Sequence, residues 1–336
     1  MSAGASPATA PRPLGRGGLR TGPIGYGVAA LGNLYQALPD TVWPGCVPAA
    51  WEAGIRYFDA APHYGLGLAE ERLGAGLAGR PRDEFVVSTK VGRLLEPNPD
   101  FHGETDLANL FDVPATRRRV RDYSRDGVLR SVEASLERLG LERIDLLLVH
   151  DPDDYEREAL DGAFPALEEL RSQGVIRSYG AGMNQSAMLT RFIERTDLDV
   201  VMVAGRYTLL DHGAASELLP AAAQRGVSVI AAAVFNSGIL AVDEPGDGAT
   251  FDYAAAPDAL VARARRIARI AHAYDVTLPE LAVWFPLRHP AISAVVLGAA
   301  SAMQITRNAG LLDRPVPESL WQELAAAELI PAAARV

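Results

Sequence analysis

The residues of this chain best suited to moving a proton sit at the ends of apolar runs. Asp59 closes "RYFD", and Tyr64 follows in the loop "AAPHYG". Lys90 closes "EFVVSTK" (84–90) and His150 closes "IDLLLVH" (144–150). A free tyrosine ionises at about pH 10, too high for acid–base work near neutrality. A neighbouring ammonium stabilises the phenolate and lowers that value. Lys90 can supply the ammonium and Asp59 can hold it in an ion pair. His150 can donate a hydrogen bond to a substrate oxygen. The four types together make a tyrosine general acid or base beside a carbonyl or alcohol carbon.

Such a site requires the three strands to end on one face. Continuous apolar runs occur at 23–29, 56–61, 84–90, 144–150, 176–182, 199–205, 227–235 and 292–298, as expected for strands buried on both faces of a parallel sheet. Helical stretches lie between them, several stopping at glycines such as Gly54, Gly79, Gly140, Gly174 and Gly226. Eight strands, each followed by a helix, predict a (β/α)8 TIM barrel, with a doubly wound sheet as the main rival. The rival's dinucleotide fingerprint is missing. Gly65-Leu66-Gly67 is followed by Leu68-Ala69-Glu70, so the third glycine is absent and Glu70 would repel a pyrophosphate. These glycines read as a sharp turn from strand to helix, with Glu70 and Glu71 in the first helical turn, where the dipole favours them.

Two stretches break the rhythm. Residues 91–126 and 236–256 are long strand-to-helix connections, and in a barrel these lie at the C-terminal, catalytic face. Residues 1–20, rich in Ala, Pro, Gly and Arg, read as a disordered tail without a secretory h-region, and 21–336 as a single barrel domain. A net charge of -10 argues against nucleic acid or an anionic membrane as partner. No apolar run is long enough to span a bilayer. The lone Cys46 excludes an intrachain disulfide, fits a reducing cytoplasm, and reads as a small core residue. The histidines are scattered, there are no paired cysteines, and no H-E-x-x-H or G-x-S-x-G occurs, so no metal site or serine nucleophile is expected.

With these motifs in place the chain resembles the aldo-keto reductase superfamily. The likeness runs from about Ile24 to Leu312 and rests on "GIRYFDAAPHYG…AEERLG", "VVSTKVG", "SLERLGLERIDLLLVHDPD", "VIRSYGAGMN" and "VVLGAASAMQITRN". It implies a (β/α)8 barrel that exchanges hydride with a nicotinamide cofactor, with Asp59, Tyr64, Lys90 and His150 as its catalytic tetrad. It also implies cofactor contacts at Gly27, Val28, Asp59 and Asn184, a ring stacked on the nicotinamide at Tyr207, pyrophosphate contacts at Ser237, Gly238 and Leu240, and an adenosine clamp at Gly298, Ser301, Gln304 and Asn308. The family's carboxamide-binding Ser-Asn pair falls on Met183-Asn184, so its hydroxyl is lost, and its glutamine has no counterpart near Met202 to Ala204. A 2'-phosphate needs a cationic fork. Only Arg307 is basic in the clamp, so NAD is favoured over NADP.

"TKVGRLLEP", "RDYSRDGVLRS" and "AGRYTLLD" further resemble the superfamily's aldose and pyridoxal dehydrogenase branch, whose members oxidise a cyclic hemiacetal at its anomeric carbon to a lactone. That implies a small sugar of the L-fucose or D-threo-aldose type as substrate, with His63 and the two long loops shaping its pocket. The chain is then a monomer or small homo-oligomer. The alternatives are an NADPH-dependent reductase of aldehydes or ketones with the same tetrad and, more remotely, a non-catalytic cofactor-sensing subunit.

Overall fold

The computed structural model describes residues 10–331. Eight strands form the barrel: β1 (Ile24–Gly27), β2 (Tyr57–Asp59), β3 (Val86–Val91), β4 (Leu146–His150), β5 (Ser178–Met183), β6 (Val200–Ala204), β7 (Ser228–Ala232) and β8 (Ile292–Gly298). Each pairs in parallel with its neighbours in sequence, and β8 pairs with β1 to close the sheet. This is the (β/α)8 barrel. The register sets Gly27 beside Asp59, Asp59 beside Ser88, Lys90 beside Leu148 and His150 beside Gly182. Asp59, Lys90 and His150 therefore arrive at one end of the barrel.

Helices cover the sheet: α1 (Cys46–Glu52), α2 (Leu68–Leu77), α3 (Arg125–Leu139), α4 (Phe164–Ser172), α5 (Ser186–Arg195), α6 (Leu218–Arg225), α7 (Asp258–His272), α8 (Leu278–Leu287), α9 (Ala302–Gly310) and α10 (Glu318–Ala326). Their ends follow local chemistry. Ser124 caps α3 by accepting from the Gly127 amide, and Gly140 closes it in the left-handed region. Thr277 and Glu280 form a reciprocal capping box on α8. Buried Cys46 opens α1 as a core residue. No helix among the described residues is long and apolar enough to cross a membrane.

The glycines of the stretch after β2 act as packing devices. A Cβ on Gly65 would lie 2.3 Å from the Gly32 carbonyl oxygen, and one on Gly74 would lie 2.1 Å from that of Leu139. The first lets the loop cross the start of the barrel, and the second seats α2 against the end of α3. Glu70 is not at the surface of its helical turn. It is fully buried and accepts from Thr89 Oγ1 at 2.6 Å and Arg138 Nε at 2.7 Å.

The expected tail differs at residues 10–20, while residues 1–9 lie outside the described residues. Arg12–Pro13 pairs with Arg20–Thr21 as a short hairpin beneath the barrel. Its turn sends Leu14 and Leu19 into the barrel interior among Tyr57, Leu146, Val200 and Ile230. Arg12 donates to the Ile292 and Leu287 carbonyls, and Arg16 pairs with Asp197 and Asp199. A segment rich in Ala, Pro, Gly and Arg, which reads as a disordered tail, is ordered here by two apolar side chains that fill the bottom of the barrel.

The two long connections are not structureless. Within 91–126, Arg93–Pro97 pairs antiparallel with Arg117–Arg121, and the segment between them folds over the barrel mouth. Within 236–256, Thr250–Phe251 pairs with Ala254–Ala255. The strand before it, β7, stops at Ala232, three residues before the apolar run ends, where Ala233 adopts a φ of 52°.

Candidate active site

The strand ends bring the four sequence-predicted residues together. Lys90 is 2% exposed and its ammonium is fully used: Nζ donates to Asp59 Oδ2 at 2.7 Å, to the Ala60 carbonyl at 2.8 Å and to the Tyr64 hydroxyl at 3.1 Å. A buried lysine persists only when its charge is met in this way. Asp59 Oδ1 in turn accepts from Ser88 Oγ at 2.6 Å, which lies 3.0 Å from the Tyr57 hydroxyl. Ser88 was not among the expected site residues. Its signal was present, since in a strand positions 88 and 90 face the same way.

Charge and burial set the protonation states. Desolvation lowers the Lys90 value, but Asp59 and Tyr64 more than reverse it, so the ammonium stays charged. Burial raises the Tyr64 phenol above its ordinary 10.0, and the pull from Lys90 only partly offsets this. The expectation of a lowered phenol is thus corrected: Lys90 acts in the expected direction, and desolvation outweighs it. His150 is held neutral, well below the ordinary histidine range, by burial and by the charges of Arg93 and Lys90. A neutral imidazole keeps one N–H to donate. Its ring stands perpendicular to that of Tyr64 at 5.9 Å.

His63, expected to shape the pocket, borders the cavity with its ring edge-on to Phe111. Burial, Arg93 and Arg119 hold its pKa at about 2.

The cleft consists of two joined cavities. The first, about 380 Å³, is bounded by the four residues and floored by Met202 and Val296. The second, about 490 Å³, runs past Ser237, Gly238, Gly298 and Gln304. Asn184, Tyr253 and Gly298 border both. Of the predicted cofactor positions, Gly27, Asp59, Asn184, Ser237, Gly238, Gly298 and Gln304 border this cleft. Asn184 Nδ2 is anchored on the Ala204 carbonyl.

The others do not reach it. Val28 and Leu240 are core residues, while their neighbours Ala29 and Ala241 border the cleft. Ser301 caps α9 through the Gln304 amide, and buried Asn308 donates to the Gly298 carbonyl from behind the wall. Tyr207 is the clearest correction. Gly205 turns the chain at a φ of 71°, and the Tyr207 ring packs on Phe285 and His289 in the core. Ala232 and Ala233 border the cavity instead.

Several cleft residues were not named by the sequence reading, three of them from the two long connections. Phe111 and Asn109 come from the 91–126 connection, and Tyr253 comes from the second hairpin. Tyr253 is 61% exposed, with its amide donating to Ser237 Oγ, and neighbouring Asp252 is held by Arg206 through two hydrogen bonds. The available signal was an aromatic pair, Phe251 and Tyr253, in a loop otherwise rich in Gly, Asp and Ala.

An extended dinucleotide fits this cleft. It is long and two-chambered, with glycines along its distal part and proton-transfer groups at the other end. Asn236, 4% exposed, borders the distal cavity with its Oδ1 unpartnered, an acceptor waiting for a donor.

The chain is similar to known proteins over nearly its whole length. Residues 23–328 match the Aldo/keto reductase family. The chain is 50% identical over 316 residues to D-threo-aldose 1-dehydrogenase from Pseudomonas sp, spanning 94% of this chain and 96% of that protein. It is 40% identical over 335 residues to pyridoxal 4-dehydrogenase from Microbacterium luteolum, spanning 95% and 97%. A solved aldo-keto reductase from Bacillus halodurans in its holo form superposes with a TM-score of 0.75 at 25% identity, covering 96% of this chain and 97% of that one. The chain belongs to the aldo/keto reductase family and is an NAD(P)-dependent oxidoreductase.

Proposed function

We propose that this enzyme is an aldose dehydrogenase that oxidises the anomeric hydroxyl of a sugar of the L-fucose or D-threo-aldose type to the lactone, with NAD as oxidant. The observation that carries the reading is the Lys90 ammonium bonded at once to the Asp59 carboxylate and the Tyr64 hydroxyl, beside a cavity of sugar size. The 50% identity to D-threo-aldose 1-dehydrogenase supports the substrate class.

In this reading Tyr64 is the general base. The proton of the anomeric hydroxyl passes to the phenolate oxygen as the C1–H bond breaks, its electron pair leaving as hydride and the C1–O bond becoming the lactone carbonyl. The bound nicotinamide supplies the hydride acceptor. Lys90 stabilises the phenolate through its hydrogen bond, and Asp59 keeps Lys90 in place. Neutral His150 donates to the reacting oxygen and orients it. Asn184 would hold the carboxamide, and the Gly238 and Gly298 stretches would hold the phosphate and adenosine parts.

NAD is favoured because the residues bordering the distal cavity include no lysine or arginine. Arg307 does not border it and lies 3.5 Å from Asn308 Oδ1. The single buried Cys46 fits a cytoplasmic enzyme. One observation favours the reverse reaction, reduction of an aldehyde or ketone: burial keeps the Tyr64 phenol protonated near neutrality, ready to donate.

A screen of aldoses and cyclic hemiacetals with NAD and with NADP, against an aldehyde and ketone panel with NADPH, decides between them. The expected result is NADH formation from an aldose. Turnover confined to the carbonyl panel overturns the aldose reading.

A further inference from the structure

Asp151 follows His150 directly and is not used by the proton chemistry above. It borders the catalytic cavity, and its backbone takes a φ of 41°. That left-handed conformation is uncommon outside glycine, and such strain concentrates where surroundings enforce a functional geometry. The surroundings here do enforce it. The Asp151 amide donates to the Gly182 carbonyl at 3.1 Å, and its own carbonyl accepts from Arg121 Nη1 at 2.7 Å and from the Tyr123 hydroxyl at 3.2 Å. Arg93, itself 8% exposed, donates to Asp151 Oδ2, which lies 3.5 Å from His150 Nε2.

The other carboxylate oxygen, Oδ1, has no hydrogen bond from any described residue. The Asp151 side chain is 29% exposed, and Phe111 and Leu110 are among the residues that line the same cavity. A carboxylate offers about four acceptor positions and no donor, so it selects for a ligand hydroxyl or amine. Burial has already raised the carboxyl above its ordinary value. A half-desolvated carboxylate gains most from a new donor.

The spacing identifies that donor. His150 and Asp151 are adjacent in sequence, His150 Nε2 lies 3.5 Å from the Arg93-bound Oδ2, and the free Oδ1 belongs to the same carboxylate. Two hydroxyls on adjacent carbons are separated by a similar distance, so one can meet His150 while its neighbour meets Asp151. We propose that Asp151 is a specificity-determining residue that accepts a hydrogen bond from the hydroxyl on the carbon next to the one oxidised, with Arg93 as its positioning residue. Resting on the aldose reading, this deepens it: the substrate class is a cyclic hemiacetal with a vicinal hydroxyl, and simple alcohols and 2-deoxy sugars are poor substrates. The apolar Phe111 and Leu110 wall then faces the C–H side of the ring.

The experiment compares kcat/KM for L-fucose and 2-deoxy-L-fucose in the parent, Asp151→Asn and Arg93→Lys enzymes. The parent is expected to favour L-fucose by about 10- to 100-fold, the range of a hydrogen bond to a charged group. In Asp151→Asn the ratio of the two substrates collapses toward one, mostly through the L-fucose term. Arg93→Lys gives an intermediate ratio. Intrinsic differences in reactivity between the sugars cancel when ratios are compared between enzymes, and a general loss of folded protein leaves the ratio untouched. A parent enzyme that oxidises both sugars equally well overturns this proposal and leaves the aldose reading standing. An equal ratio in parent and Asp151→Asn does the same. No turnover of either sugar, with activity on the carbonyl panel, overturns both.

Discussion

At the lower end of the barrel, Leu14 and Leu19 pack among Tyr57, Leu146 and Val200, and the filling is almost wholly apolar. At the upper end of the same strands, a carboxylate, an ammonium, a phenol and an imidazole are desolvated together within one hydrogen-bonded set. The two ends share a boundary, since Met202 and Val296 belong to the inner packing and also floor the catalytic cavity. The difference lies in what each end tolerates. An apolar filling loses stability roughly in proportion to the volume removed. A set of buried charges is stable only as a set, because removing one partner strands another. The lower end should therefore govern stability with little effect on chemistry, and the upper end should govern chemistry with a pH signature.

The largest expected effect tests the upper end. Tyr64→Phe keeps the ring that packs near Phe111 and His150 but removes the proton acceptor. We expect kcat to fall by about 10²- to 10⁴-fold, the usual worth of general acid–base catalysis, with the thermal midpoint little changed. In the parent, oxidation should speed up as pH rises, because the phenol is held above 10.0 and must lose its proton to act as base. Lys90→Met should lower turnover strongly, leave cofactor affinity mostly intact, and move that rising limb to still higher pH, since Lys90 is the group pulling the phenol down. A Tyr64→Phe enzyme as fast as the parent, or a limb that stays in place in Lys90→Met, would break the proposed coupling.

The contrast between the ends also explains what the sequence could disclose. Asp59, Lys90 and His150 were legible because each stands at or one residue from the end of a buried parallel strand, and such ends share a face whatever the details of packing. Beyond the strand ends that logic fails. Tyr207 lies three residues past β6, and the left-handed turn at Gly205 decides which way it goes. Residues 10–20 looked disordered because their composition is that of a linker, and the two leucines that order them find their partners only once the barrel exists. Asp151 was quoted within a motif but carried no role, because its neighbour Arg93 comes from a connection whose hairpin the sequence did not reveal.

At the lower end, Leu14→Ala is expected to cost about 2–5 kcal/mol, the range for a fully buried leucine, measured as the shift in urea midpoint with the m-value held. kcat for the same substrate should stay at the parent value, because no residue of the hairpin borders the cleft. A loss of kcat at full folding would mean that the inner packing transmits strain through Met202 and Val296 to the cavity floor.

The smallest effect separates the ends by the pH at which each gives way. His63 has a folded pKa of about 2 against 6.5 for the free group. Its lowered value means that the unfolded chain binds the proton first, so stability is lost as pH falls below about 6.5 and the loss grows until the folded value is reached. By pH 5.5 the deficit from this one group approaches about 1.4 kcal/mol. At the lower end, Asp197 has its carboxyl lowered by the Arg171 hydrogen bond, so its contribution survives to lower pH and fades only as pH falls through the carboxylate range. His63→Phe should thus lessen the loss of stability from about pH 6.5 downward and leave in place the part of the loss below pH 4 that the carboxylates cause, read by urea titrations across that range. His150 is also held neutral, so some slope must remain. A variant whose profile runs parallel to the parent's throughout would show that His63 is solvated in the folded enzyme and that the upper end is less dry than its geometry requires.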